Sequence, residues 1–225
     1  MEKINIGTYS FGRDGNMTLL DKLKAAKELG YTGIEFLADD MQYSAEELKG
    51  WLDEAGVEAV SLHAAMETIK KMSDIGGKMI ICPGHPFCDK AEAIDLAKLL
   101  DEKATLAEPY GIMIGYHNHT SEFYVDEGKP ILEYVIENSK KAYFQLDCGW
   151  ATAAGIDCAA FINKYPGRFC SVHVKENDTV IGPGGKPRSA KDPAPARPRM
   201  KNPDEMTEEE KEAFAKMRAQ MAERT

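Results

Sequence analysis

"IMIGYHNHTSEF", residues 112–123, opens as an apolar strand and closes with two histidines, an asparagine and a glutamate. A short apolar run of this kind reads as a buried strand, and the polar residues fall where it stops. The same unit recurs on both sides. Upstream lie "INIGTYS", "TGIEFL", "EAVSLHA" and "KMIICPG"; downstream lie "AYFQLDCGW" and "RFCSVHVKE". Between these runs the apolar residues adopt helical spacing. "NMTLLDKLKAAKELGY" places Leu19, Leu20, Leu23, Ala26 and Leu29 on one face, and Gly30 stops it. "SAEELKGWLDEAGV" carries Ser44 and Glu47 as a capping box. A short helix precedes the fourth strand. "DKAEAIDLAKLLDEKATLAEPYG", "KPILEYVIENS" and "DCAAFINKYPG" are the later helices.

Seven βα units follow one another without a hairpin signal. Such alternation means parallel strands joined by right-handed helical crossovers. Doubly wound sheets and barrels both satisfy it. Seven consecutive units with short βα loops favour the (β/α)8 TIM barrel, over residues 1–176. The pattern then breaks. Residues 177–205 hold six of the eleven prolines, which rules out a regular helix or a central strand there. "TEEEKEAFAKMRAQMAERT" reads as a charged helix with Thr207 and Glu210 as its capping box. Residues 177–225 are thus a Pro-rich insert plus a helix after strand seven, and the eighth βα unit is missing. The expectation is a chain shorter than a full barrel domain, or a ring completed by a partner.

Composition narrows the function. The chain has 225 residues and a net charge of -9, which disfavours a binder of nucleic-acid backbones. The five cysteines are odd in number and none are spaced CxxC, so neither a disulfide framework nor a zinc knuckle fits. The start lacks the pattern of a signal peptide, and no apolar run has the length of a membrane span. These features read as a cytoplasmic protein with reduced thiols and no membrane partner.

The chemistry collects at one edge. His63, His85, His117, His119 and His173 all lie at or just past the ends of strands. In parallel α/β folds that C-terminal edge is where sites are built. Period-2 alternation also puts Glu35, Ser61 with His63, Gln145 with Asp147, and Ser171 with His173 and Lys175 on the faces opposite their apolar neighbours. Those faces point into the barrel, where an unsatisfied polar group costs about 1–3 kcal/mol. A bound divalent cation would compensate carboxylates and imidazoles there. Such a donor set suits Mn, Zn, Fe, Co or Mg. A metal next to a histidine could polarise a sugar and move a proton between its atoms.

"YTGIEF", "SLHA", "GYHNHTSEF", "QLDCGWATAAGID" and "YPGRFCSVHVKE", taken as an ordered set, resemble the xylose isomerase-like barrels, the sugar phosphate isomerase/epimerase group. The resemblance spans about residues 3–176. It implies a TIM barrel with one divalent metal ion, Mn first among Zn, Mg, Fe and Co. It implies Glu122 (or His117 in its place), Asp147 and His173 as metal ligands. The family's strand-eight glutamate has no counterpart in this chain. His117, His119 and Lys175 are then the expected catalytic groups, and Glu35, His63 and Trp150 the expected substrate contacts. The expected partner is a small carbohydrate, with a homo-oligomer or a small second subunit in addition. "VKENDTVIGPGGKP" is also similar to the catalytic subunit of C-glycoside deglycosidases, which would make the reaction a carbon–carbon elimination. A non-catalytic, incomplete barrel subunit is a further alternative. An endonuclease IV-like enzyme shares the barrel edge, but it needs more ligands than these and a basic DNA face.

Overall fold

The computed structural model describes residues 4–12, 16–64, 68–175, 177, 179–193 and 207. Residues up to Lys191 form one unit. The expected C-terminal helix, apart from Thr207, lies outside the described residues, as does Glu210.

Seven parallel strands form one sheet: β1 (Asn5–Gly7), β2 (Gly33–Leu37), β3 (Glu58–His63), β4 (Met79–Cys82), β5 (Met113–His117), β6 (Tyr143–Asp147) and β7 (Phe169–His173). They pair in chain order, each parallel to the next. Helices α1 (Leu19–Glu28), α2 (Ala45–Ala55), α3 (Ile69–Asp74), α4 (Lys90–Ala107), α5 (Ile131–Asn138), α6 (Cys148–Ala153) and α7 (Cys158–Lys164) fill the connections.

The sheet curls. Glu35 of β2 and His173 of β7 lie 2.8 Å apart, although four strands separate them in the sheet. Flat strands at normal spacing would hold them roughly 24 Å apart. This is the TIM-barrel arrangement with one unit missing; among the described residues no strand pairs β7 with β1.

Helix boundaries follow the chemistry read from the sequence. Ser44 and Glu47 cap α2, and Thr18 and Asp21 cap α1 in the same way. Leu23 and Ala26 of α1, and Leu48 and Leu52 of α2, are buried. They belong to a core that includes Ile34, Phe36 and Leu62, the apolar faces of β2 and β3. The alternation thus sends apolar residues out towards the helices and polar ones inward. One inner layer is apolar. A Cβ on Gly115 would meet Ile81 at 2.6 Å and Cys170 at 3.7 Å, so glycine leaves room for those two side chains.

Two details depart from the sequence pattern. Strand six ends at Asp147 instead of running on to Trp150, because the Asp147 side chain accepts from Trp150 N and starts α6. The β5–α5 connection also holds a small antiparallel ladder, Val125–Asp126 with Lys129–Pro130. Glu127 and Gly128, at φ 44 and 91, make its turn.

Within the Pro-rich segment, residues 181–190 are attached to the barrel. Ile181 and Gly182 donate to Ala153 O at 2.8 and 2.9 Å, and Ala190 N donates to Glu92 at 3.1 Å.

Candidate metal centre at the C-terminal edge of the sheet

Register brings the polar side chains together. Glu35 pairs with Ser61, His117 with Gln145, and Asp147 with His173. The buried carboxamide of Asn118 extends the ladder beyond β5. Its Oδ1 accepts from Asp147 N at 3.0 Å, and its Nδ2 donates to Asp147 O at 3.4 Å. That contact and the α6 cap fix Asp147. Oδ1 takes the Trp150 N–H, and Oδ2 faces His173 Nδ1 at 3.5 Å and His117 Nε2 at 3.8 Å.

A hydrogen-bond chain sets which ring nitrogens carry protons. Glu35 Oε2 accepts from Ser61 Oγ at 2.7 Å and from Gln145 Nε2 at 2.9 Å. Gln145 therefore turns its Oε1 to His117 Nδ1, 3.0 Å away, and Nδ1 must be the donor. His117 Nε2 is left as a lone pair facing Asp147. Likewise His173 Nε2 donates to Glu35 Oε1 at 2.8 Å, which leaves Nδ1 on the Asp147 side.

The electrostatics agree. Burial alone would raise the Glu35 carboxyl, but the His173 hydrogen bond and charge, with Gln145, bring it down to about 2. Burial would lower His173, yet Asp147 and Glu35 hold its ring up at about 9. Burial, with the charges of His63 and His173, pushes His117 down to about 3. Burial likewise takes His63 to about 4, against the pull of Glu35.

One ligand atom each from His117, Asp147 and His173 lies within 4.8 Å of the others. Two imidazole nitrogens and a carboxylate fit a divalent transition metal. Each imidazole is backed by a hydrogen bond on its far nitrogen, the usual support of metal-bound histidine. The residues present therefore fit the ion, which would take the place of the His173 Nδ1 proton. Buried beside them, His63 Nε2 has no hydrogen-bond partner among the described residues. The His63 ring stands 4.6 Å from that of His117 and 5.8 Å from that of His173.

The other expected site residues occupy distinct places. Glu122 is buried but is not in the group. Its carboxylate accepts from Tyr116 OH, His119 N and Ser121 Oγ at 2.8–2.9 Å, so of the two alternatives on strand five the geometry favours His117. Glu35, expected as a substrate contact, uses both oxygens on protein partners, Ser61, Gln145 and His173. His119 stands half-exposed between the His117 ring at 5.0 Å and the Trp150 ring at 5.8 Å. Lys175 Nζ lies 4.2 Å over the Trp150 ring. Gln145 and Asn118 were missed as positioning residues. Period 2 places Gln145 on the inner face, yet a neutral amide carries no charge signal.

No protein-family model matches the chain, and no curated protein matches it. Solved structures do. A sugar phosphate isomerase/epimerase from Parabacteroides distasonis shares 25% identity at TM-score 0.69, over 77% of this chain and 75% of that one. A 3-keto-D-glucoside 4-epimerase from E. coli shares 17% at TM-score 0.60, over 79% and 80%. A D-psicose 3-epimerase crystallised with D-fructose shares 12% at TM-score 0.59, over 76% and 72%. The latter two show the fold alone. The resemblance to xylose isomerase-like barrels read from the motifs holds in the fold.

Proposed function

We propose that the protein is a metal-dependent sugar isomerase or epimerase whose single divalent ion is held by His117, Asp147 and His173. The observation that carries this reading is the convergence of three ligand atoms within 4.8 Å, with the far ring nitrogens of His117 and His173 bonded to Gln145 and Glu35. The named activity of the 25%-identical structure supports the sugar class. When bound, such an ion polarises a carbonyl or a pair of neighbouring hydroxyls.

The chain's own residues supply the rest. His117 acts as a ligand in this reading, which leaves His63 and His119 as the imidazoles able to carry protons. His63 is neutral and half-buried, and its Nε2 has no partner among the described residues, so it can accept a proton or a hydrogen bond from a substrate hydroxyl. His119 lies on the outer side, next to Trp150. The Trp150 ring offers a wall for the apolar face of a sugar, and Lys175 above it offers a cation to a carbonyl or an anionic group.

Metal analysis of purified protein tests the reading, with Asp147→Asn and His173→Ala alongside. The expected result is one ion per chain, lost in both variants, and proton exchange or epimerisation in an aldose and ketose screen. Absence of bound metal, or metal retained by both variants, would refute it.

A further inference from the structure

Two cysteines meet beside the metal group. Cys148 opens α6 directly after Asp147, and Cys158 opens α7 directly after its cap, Asp157. The Cys158 thiol lies 3.6 Å from Cys148 O and 3.6 Å from Thr152 Oγ1. It also stands against the Cys148 thiol. Burial first, then the charge and weak hydrogen bond of Cys158, push Cys148 up to about 11. Both residues are only partly buried, and all five thiols of the chain are free. The other three have different neighbours: Cys82 donates to Gly84 O, Cys88 to the Asp89 carboxylate and Cys170 to Phe144 O.

Asp147 is tied to the turn that Cys148 begins. Its Oδ1 accepts from Trp150 N at 2.9 Å, and its Oδ2 is the atom turned to His117 and His173. That turn has little free room. A Cβ on Gly149 would stand 3.0 Å from Lys175 and 3.2 Å from Asp147 Oδ1. A disulfide sets its sulfur atoms about 2.0 Å apart, well inside non-bonded contact, and within a narrow range of dihedral angles. Closing one here draws the start of α7 onto the start of α6, and the packed turn passes the displacement to Asp147.

We propose that Cys148 and Cys158 are a peroxide-sensitive pair whose disulfide displaces the first turn of α6 and Asp147 with it. The consequence for a bound metal rests on the proposed function; the bond and the displacement rest on the thiol geometry alone. One thiol attacks the O–O bond of hydrogen peroxide, which leaves a sulfenic acid and one water. The other thiol displaces the sulfenic hydroxyl as a second water, and the S–S bond closes. The two thiols give up two electrons and two protons, and the peroxide takes them.

Peptide mapping of the purified full chain tests it. The chain is treated with hydrogen peroxide, its remaining thiols are alkylated, and its peptides are identified by mass spectrometry without reduction. A parallel sample is returned to dithiothreitol. Two readouts follow the displacement. One is metal affinity by competition with a chromogenic chelator. The other is the emission of Trp150, which lies in α6 and reports with or without metal; a Trp51→Phe background isolates it. The expected result is a peptide linking Cys148 to Cys158, a changed Trp150 emission, and metal affinity lower by about tenfold or more, all reversed by the reductant. Cys158→Ser and Cys158→Ala, checked for fold by circular dichroism, should bind metal as the wild type does and lose every response to peroxide. Absence of the linked peptide, a bond that leaves the emission or the affinity of a metal-binding chain unchanged, or responses that persist in both variants would overturn the proposal. Metal content is scored separately. A chain without metal that forms the bond and shifts its emission would sink the isomerase reading and leave the thiol pair standing. A chain that holds its metal and never forms the bond would do the reverse.

Discussion

Replacing Glu35 by Gln in metal-stripped protein tests the electrostatic frame of the site. Glu35 and Asp147 together hold the His173 ring charged, at about 9 against an ordinary 6.5. That difference, at about 1.4 kcal/mol per pH unit, amounts to ~3 kcal/mol of stability. A raised folded-state value gives a contribution that is complete below pH 6.5 and is lost as pH rises through 9. The same contact seen from Glu35, whose carboxyl falls from 4.5 to about 2, is complete above 4.5 and is lost as pH falls through about 2. The two describe one ion pair and are counted once. Two carboxylates hold the imidazolium, so removing one charge should remove about half of the alkaline loss, ~1.5 kcal/mol. The Gln amide can also offer its oxygen to His173 or to Gln145, but not to both, which leaves one buried bond unmet at about 1–2 kcal/mol. Urea unfolding from pH 6 to pH 10 with chelator present is the assay. Wild type should lose stability across pH 6.5–9; Glu35→Gln should be about 3 kcal/mol weaker at pH 6 and change less with pH. A variant with the wild-type slope would refute the pairing. An NMR titration of His173 that stays near 9 in the variant would refute it independently.

Other changes separate ligand positioning from folding. Gln145→Leu removes the acceptor that sets the His117 tautomer, and metal affinity by competition with a chromogenic chelator should fall about 10–100-fold. Unchanged affinity would mean that Gln145 has no such role. Gly149 lies in α6, where a Cβ would stand 3.0 Å from Lys175 and 3.2 Å from Asp147 Oδ1. Alanine there suits a helix, so Gly149→Ala should keep its melting temperature while binding metal more weakly. Unfolding of this variant, or full metal affinity, would show that glycine serves some other need.

The sequence made the fold legible because its signals are local and repeated. Each strand is a short apolar run, each helix has its stripe and cap, and alternation leaves few topologies. The inner face was legible for the same reason. Period 2 alone puts Glu35, Ser61, Gln145, Asp147 and His173 on inward positions, and all five meet in one network. Roles within that network were less visible. Glu122 and His117 both close the same strand, and no spacing rule says which turns inward. The deciding facts are the Tyr116 hydroxyl, the His119 and Ser121 donors that capture Glu122, and the register that sets Gln145 beside His117.

The described part of the Pro-rich segment shows the same limit from the other side. Prolines excluded regular structure from residues 177–205 without saying where the segment lies. Its place depends on Glu92, which period-3.6 reading treats as one more exposed helical acid. In the structure that carboxylate is buried, and its partners include Cys88 N and Ala190 N, 98 residues away in sequence. A buried acid at a helix N-terminus is stabilised there by the helix dipole and can accept from a distant backbone N–H. One side chain in the first turn of α4 thus ties an irregular segment to the barrel.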